Sequence, residues 1–302
     1  MSAAADQRRT ILVTGAAGPA GRTLGAQLAR TPDAAGLRVL GVDLAPAEVP
    51  GYEQVGPVTG ALDHDYEQAM IELLSRIGPD LVLPTVAEEL PRLATLGAAT
   101  GLGSLLVLSA PASAAIASDK LLTMWALDRA GVPVPQFGAA DRLGSAEDAL
   151  AWAGGPFVVK PRVARGGRGV HVVEAADDPA WQQLDGSWVV QSFAPGTEYS
   201  PQVYRSPATG ACVVVVLEKT GRKQGRVGNA TSVTRLPDGA APDVAQVAAA
   251  AVTALDLVGP IDLDVRRTTD GSPVVLEVNA RFGAVCAEAP ELLGCVLEQW
   301  PG

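Results

Sequence analysis

Five residues in the stretch 259–281 carry the most legible chemistry: Asp262, Asp264, Glu277, Asn279 and Arg281. Asp270-Gly271 lies among them, and both residue types tolerate positive φ, so the stretch reads as a β-hairpin with a two-residue turn. With that pair at the turn, Asp264 falls opposite Glu277 and Asp262 opposite Asn279. Leu263 then meets Val278 and Val265 meets Leu276, which gathers the apolar residues on one face and the acids on the other. Pro273 meets Thr268 in a non-hydrogen-bonded pair, where a missing N–H costs nothing. Facing carboxylates repel one another, and the pairing costs stability unless a cation lies between them. Asp264, Glu277 and Asn279 offer two carboxylates and an amide. Such oxygen donors suit magnesium, which takes few protein ligands and completes its shell with phosphate and water.

A second group stands earlier in the chain. Phe157-Val-Val-Lys160-Pro161 is an apolar strand ending in a lysine, and Arg162-Val-Ala-Arg165-Gly166-Gly167-Arg168-Gly169 leads from it into Val170-His-Val-Val173. The glycine loop therefore joins two strands, and it lacks the Gly-Lys-Ser/Thr and helix start of a Walker loop. A hairpin tip with open backbone N–H groups and cationic side chains can fold over polyphosphate as a flap. Lys160, at the strand end, can aim its ammonium at the same phosphates. The plainer alternative is an exposed hairpin with solvated arginines.

Two kinds of architecture must position these groups. The first hundred or so residues alternate strands over 11–14, 37–43, 80–84 and 105–108 with helices from about 19 to 30 and 66 to 77 and a helix carrying Glu88, Glu89 and Arg92. Such alternation predicts a parallel sheet with helical crossovers. Pro111 starts a further helix, Ser118 and Asp119 begin the next, and Gly131, Pro133 and Pro135 stop it. Beyond them, strand-like runs over 157–160, 170–173, 188–193, 199–204 and 211–218, a helix around 244–255 and the closing hairpin describe an α+β half. The sequence has neither an internal repeat nor a low-complexity tail.

Bulk properties exclude several classes. The 302 residues are 48% hydrophobic and 19% charged, a globular balance with room for about two domains. A net charge of −10 argues against a broad nucleic-acid or anionic-membrane surface. Cys212, Cys286 and Cys295 are odd in number and lack CxxC spacing, which disfavours a disulfide framework or zinc site and fits the cytoplasm. His64 and His171 are too few for a histidine-rich metal site. The apolar run after the opening arginines is too short for a signal peptide. The stretch between Arg92 and Asp119 carries no charge and is long enough to span a membrane. Gly97, Gly101, Gly103, Ser104 and Pro111 instead divide it into helix end, turn, strand and helix.

Near the start, Gly15-Ala-Ala-Gly18-Pro-Ala-Gly21 follows a strand and opens a helix, and Asp43 ends the next strand. This is close to a dinucleotide fingerprint, with GxxGxxG spacing in place of GxGxxG. No Tyr-x-x-x-Lys pair occurs to run reductase chemistry. Close packing of helix on strand explains the small residues as well.

Taken in order, these segments resemble the ATP-grasp superfamily, in the branch similar to carbamoyl-phosphate synthase large-subunit halves. The resemblance runs through Leu12-Val-Thr-Gly with Gly18-Pro-Ala-Gly21, Asp80-Leu-Val-Leu-Pro-Thr with Glu88-Glu-Leu90, and Ser118-Asp-Lys120. It continues through Val159-Lys-Pro161, Arg165-Gly-Gly-Arg-Gly169, Val190-Gln-Ser-Phe193, Pro195-Gly-Thr-Glu-Tyr199 and Glu277-Val-Asn-Ala-Arg281. It implies a Rossmann-like parallel-sheet domain over 1–110, then a two-lobed ATP-grasp fold, with a small lobe and flap over 111–187 and a C-terminal lobe over 188–302. It also implies roles. Lys120, Lys160, Arg165, Gly166 and Gly167 would meet ATP phosphates, Gln191 and the backbone near Phe193 would edge the adenine, and Glu198 would hold the ribose. Asp264, Glu277 and Asn279 would hold Mg2+, and Arg281, with Lys160, would stabilise the transferring phosphoryl group.

The implied activity is an ADP-forming carboxylate–amine ligase acting on small molecules through an acyl phosphate. A single unit disfavours carbamoyl phosphate synthesis, which uses two. Gly283-Ala284 stands where Gly-Gly is usual, and the chain stops soon after. The acceptor pocket is therefore expected to be either trimmed or completed by a second copy in a homodimer. A non-catalytic ATP-binding regulatory protein and an NAD(P)-dependent reductase using the N-terminal glycines are the alternatives. The intact set of Lys160, Glu277, Asn279 and Arg281 counts against the first.

Overall fold

The computed structural model describes residues 8–300 apart from 165, 225 and 226. The first unit comprises β1 (Arg9–Thr14), α1 (Pro19–Leu28), β2 (Leu37–Asp43), β3 (Gln54–Pro57), α2 (Tyr66–Ile77), β4 (Leu81–Leu83) and α3 (Leu90–Thr100). Its four strands are parallel in the order β3-β2-β1-β4, as the alternating pattern predicts. Ile11, Leu12 and Val13 are all fully buried because both faces of the sheet are covered. Leu12 and Val82 pack with Tyr66, Met70 and Leu93 of α2 and α3, whereas Ile11 and Val13 pack with Leu24 and Leu28 of α1. The expected strand over 105–108 is absent. A short 3-10 turn takes Gly103–Leu105, and only Leu106 bridges to Val82, because β4 stops after three residues.

Helices α4 (Pro111–Ser118) and α5 (Lys120–Arg129) lead to a four-stranded antiparallel sheet. It contains β5 (Phe137–Ala139), β6 (Phe157–Pro161), β7 (His171–Val173) and β8 (Trp188–Ser192) in the order β5-β8-β6-β7, with α6 (Ala146–Ala153) packed against it. This sheet takes in Trp188–Ser192 and so runs across the expected lobe boundary at residue 187. Phe157, Val159 and Val190 face its own core, which leaves Val158, Lys160 and Gln191 on the opposite face.

A seven-stranded sheet follows, built from β9 (Glu198–Tyr199), β10 (Gln202–Arg205), β11 (Cys212–Val215), β12 (Leu217–Gln224), β13 (Val227–Arg235), β14 (Gly259–Arg267) and β15 (Pro273–Asn279). α7 (Pro242–Ala254) covers the face carrying Ile261, Leu263 and Val265, and α8 (Pro290–Gln299) packs Leu292, Leu293 and Val296 against Ile11 and Val13 of the first unit. The runs expected over 199–204 and 211–218 are each two strands. Pro201, which has no N–H to donate, separates β9 from β10, and a break at Val216 separates β11 from β12. Among the described residues, no helix is long and apolar enough to cross a membrane.

The closing hairpin keeps its acids in register and changes its turn. Asp262 pairs with Asn279, Leu263 with Val278 and Asp264 with Glu277, as expected, but Val265 pairs with Val275 and Arg267 with Pro273. The loop is longer than a two-residue Asp270-Gly271 turn. Thr268 N–H donates to Ser272 at 2.9 Å, Gly271 N–H donates to Thr268 at 3.1 Å, and Gly271 has φ 88. A three-residue loop ending in a left-handed glycine suits the strand twist. The resulting one-residue displacement is undone at Leu276, which bulges out of the ladder between Val275 and Glu277.

Candidate active site

Strand β14 acts as a ruler for the site. Leu263 and Val265 are buried in the core, while Asp262, Asp264 and Arg266 line a cleft of about 250 Å³ on the other face. Alternate residues advance about 6.6 Å along a strand, so these three side chains lie in sequence along the cleft floor. Arg266 marks one end, with its guanidinium carbon 4.7 Å from the centre of the Phe193 ring. Gln191 and Glu198 also line the cleft. Gln191 is buried, and its Nε2 has no hydrogen-bond partner among the described residues.

Asp264 occupies the middle. Lys219 Nζ donates to Asp264 Oδ1 at 2.6 Å and to Glu198 Oε1 at 2.8 Å. Burial works to depress the Lys219 ammonium, but these two carboxylates outweigh it and hold the group above its ordinary range. Glu277, facing Asp264 on β15, has Lys120 Nζ 3.5 Å from its Oε1. In this structure the cations beside the facing acids are side-chain ammonium groups. Two buried lysines, one beside each carboxylate, offset the repulsion.

Lys120 is placed by its own helix. Asp119 caps α5, accepting from the backbone of Leu121 at 2.9 Å and Leu122 at 3.3 Å, and binds Arg162 at the flap base at 2.6 Å. Burial raises the Asp119 carboxyl, but Arg162 and the helix amides overcome that and leave it below its usual value. Lys120 N–H donates to Arg162 at 2.9 Å, and its Nζ donates to Ala164 at 2.9 Å. Lys120 thereby reaches Glu277 from a smaller recess beside the main cleft, one that also touches Asn279.

Lys160 enters from the small sheet. Its Nζ donates to the Leu276 carbonyl at 2.7 Å, at the residue that the bulge displaces from the ladder. Burial, only partly opposed by Glu277, pushes the Lys160 ammonium down to about 8. Gly166 and Gly167 line the same cleft, and Arg165 lies outside the described residues.

Asp262 stands at the far end with Arg281, Pro19, Ala284 and Val285. Its Oδ1 accepts from Ser200 Oγ at 2.8 Å and Gln202 Nε2 at 2.5 Å, and its Oδ2 accepts from Arg281 Nη1 at 3.2 Å. Burial raises this carboxyl against the pull of Arg281. The N-terminal glycine turn reaches this end through Pro19, and Thr23 Oγ1 donates to Ala284 at 3.1 Å. Its glycines have a packing reason: a Cβ on Gly21 would sit 2.3 Å from the Gly15 carbonyl oxygen.

Ten of the sequence-chosen residues thus line one cleft: Lys160, Gly166, Gly167, Gln191, Phe193, Glu198, Asp264, Glu277, Asn279 and Arg281. Lys120 reaches it through Glu277. Sequence reasoning missed Lys219, Arg266 and Ser200, and assigned Asp262 a register but no task. Lys219 follows the apolar run 212–217 after a single glutamate, and that signal was there to be read.

A parallel-sheet unit, an antiparallel small sheet and a larger sheet meeting at a cleft of lysines and carboxylates define an ATP-grasp arrangement. A family model described as an ATP-grasp domain matches residues 117–285, more than half of the chain. The protein belongs to the ATP-grasp family. It is 33% identical over 193 residues to a probable alpha-L-glutamate ligase of Sodalis glossinidius (strain morsitans), a match covering 59% of this chain and 62% of that protein. Its fold is similar to that of the L-amino acid ligase from Bacillus licheniformis, with TM-score 0.71, 20% identity and coverage of 93% of this chain and 69% of that one. It is also similar to a biotin carboxylase–ATP complex from Campylobacter jejuni, with TM-score 0.70, 18% identity and coverage of 98% and 72%.

Proposed function

We propose that the protein is an ATP-dependent, ADP-forming carboxylate–amine ligase that works through an acyl phosphate. The observation that carries this reading is the graded floor of the cleft. An aromatic and amide end at Phe193 and Gln191 leads to a charged middle at Lys160, Asp264 and Glu277, and then to Arg281 and Asp262. That order suits a base, a polyphosphate and a reacting acid laid end to end. The unpartnered Gln191 amide suits a hydrogen-bonding base edge. Lys160, Lys120 and Lys219 supply positive charge for phosphates, and Glu198 supplies acceptors for ribose hydroxyls.

Asp264, Glu277 and Asn279 fit magnesium. They are hard oxygen donors, and among the described residues no cluster of three or more His, Cys, Asp or Glu forms a full metal cage. Such a sparse set suits an ion that completes its shell from phosphates and water. When bound, magnesium would neutralise charge on the β- and γ-phosphates. Arg281 would then hold the γ-phosphoryl as it passes to the substrate carboxylate oxygen. An amine attacking the acyl carbon would form the C–N bond and expel phosphate.

The test is thermal stability followed by turnover. Magnesium–ATP at 100 times its dissociation constant should add about 2.7 kcal/mol to stability, while NAD(P)H should add nothing. ADP release should then depend on an added acid. A protein indifferent to magnesium–ATP would end this reading.

A further inference from the structure

The end of the cleft beyond the phosphate-sized middle holds a paired anion and cation, and this pair identifies what binds there. Asp262 and Arg281 lie 3.2 Å apart, both line the cleft, and both side chains are largely withdrawn from water, at 13% and 14% exposed. Asp262 sits two residues before Asp264 on β14, about 6.6 Å further from the Phe193 end. A base at Phe193 and phosphates at Asp264 would leave Asp262 beside the group that accepts the phosphoryl. Its carboxylate takes three hydrogen bonds, from Ser200, Gln202 and Arg281, out of roughly four acceptor positions. Ser200 and Gln202 are neutral, so they fix the carboxylate in place without cancelling its charge. Arg281, 3.2 Å away, is the charged partner of Asp262. A simple carboxylic acid that drew Arg281 toward itself would therefore leave the Asp262 carboxylate without a cation, whereas a substrate that also carries an ammonium would replace it.

We propose that Asp262 recognises the ammonium group of the substrate, so that the acid activated here is a zwitterionic α-amino acid, its carboxylate toward Arg281 and its ammonium toward Asp262. Pro19, Ala284 and Val285 line the same cleft and offer the remainder of the amino acid apolar surface. The proposal rests on the ligase reading and narrows its substrate. A site built around one polar group rejects analogues lacking it far more strongly than a hydrophobic pocket rejects a shape change.

The experiment compares ADP release driven by α-amino acids, by their des-amino analogues and by their N-acetyl derivatives, in the wild type and in Asp262→Asn. The wild type should favour the free amino acid by about a hundredfold or more in kcat/KM. Asp262→Asn should shrink that preference by about tenfold or more, through a raised KM for the amino acid, with KM for ATP unchanged. Equal use of free, des-amino and N-acetyl acids by the wild type overturns the proposal without reference to any variant, so a poorly folded Asp262→Asn does not shelter it. An undiminished preference in a folded Asp262→Asn overturns it as well. In both cases ADP release itself still stands as evidence for the ligase. Absence of acid-dependent ADP release from the wild type would overturn the ligase reading and this proposal together.

Discussion

Lys219 touches two carboxylates at once, and the site's behaviour follows from that. Its ammonium holds Glu198 and Asp264 within 2.8 Å and 2.6 Å, while Lys120 stands 3.5 Å from Glu277. Without ligand, then, the acids chosen for a metal already have cations beside them. A metal arriving alone must displace ammonium groups, whereas one arriving with a nucleotide finds the lysines drawn to phosphate. Nucleotide-free wild type is expected to bind Mn2+ weakly. Lys219→Met should bind it on the order of tenfold more tightly, because a unit charge about 4 Å away is worth at least ~1 kcal/mol even in water. Paramagnetic resonance titration of free Mn2+ checks this. Equal affinity in the two proteins would mean that Lys219 does not guard the site.

At the scale of elements, the closing hairpin separates what its residues disclose from what they conceal. The alternation of Leu263, Val265 and Val278 with Asp262, Asp264 and Glu277 was legible because a one-residue slip would bury the acids. The Leu276 bulge was hidden, since an extra residue leaves the composition of both faces almost intact. Its function is also non-local, for it offers a carbonyl to Lys160 from another sheet. Helix α6 was missed although Ser145 caps it, accepting from Asp148 N–H at 3.1 Å, and Gly154 ends it; the signal was local and went unread. Strand β13 had little signal, because Gly228-Asn229 interrupts its alternation. The flap between β6 and β7 gives an element-scale expectation. Gly166 and Gly167 have φ of 67 and 70, which valine rarely adopts. Replacing both with valine should lower ATP-dependent turnover by about tenfold or more while leaving a folded protein, since exposed hairpin tips add little to the core. Circular dichroism alongside ADP release checks it. Loss of the folded protein would instead make the loop structural.

Over the whole molecule, the small and large sheets line the cleft and the first unit reaches it through Pro19, and each unit carries its own liabilities. In the first, Glu89 is buried, receiving hydrogen bonds from Thr14 Oγ1, Tyr66 OH and Val86 N–H, with no cation in direct contact among the described residues. Burial, only partly opposed by those bonds, lifts its carboxyl to about 7. A carboxyl raised in the folded state contributes stability that is complete below about 4.5 and is lost as pH rises through about 7. Glu89→Gln should therefore match the wild type near pH 5 and exceed it in melting temperature at pH 8. Parallel pH dependences in the two proteins would show that Glu89 titrates normally. The small sheet raises a different matter. Among the described residues, no strand of it pairs with either neighbouring sheet, and its core is drawn from Ala140, Ala149, Phe157, Val159, Val173 and Val190. Its polar ties to the remainder include Lys160 on Leu276, together with Arg162 and Ala164 on α5 and its cap. Amide protons in β6 and β8 can thus exchange with solvent through an opening that leaves the other two sheets intact. A molecule lying across the cleft would slow that exchange and become, while bound, part of what holds the protein together.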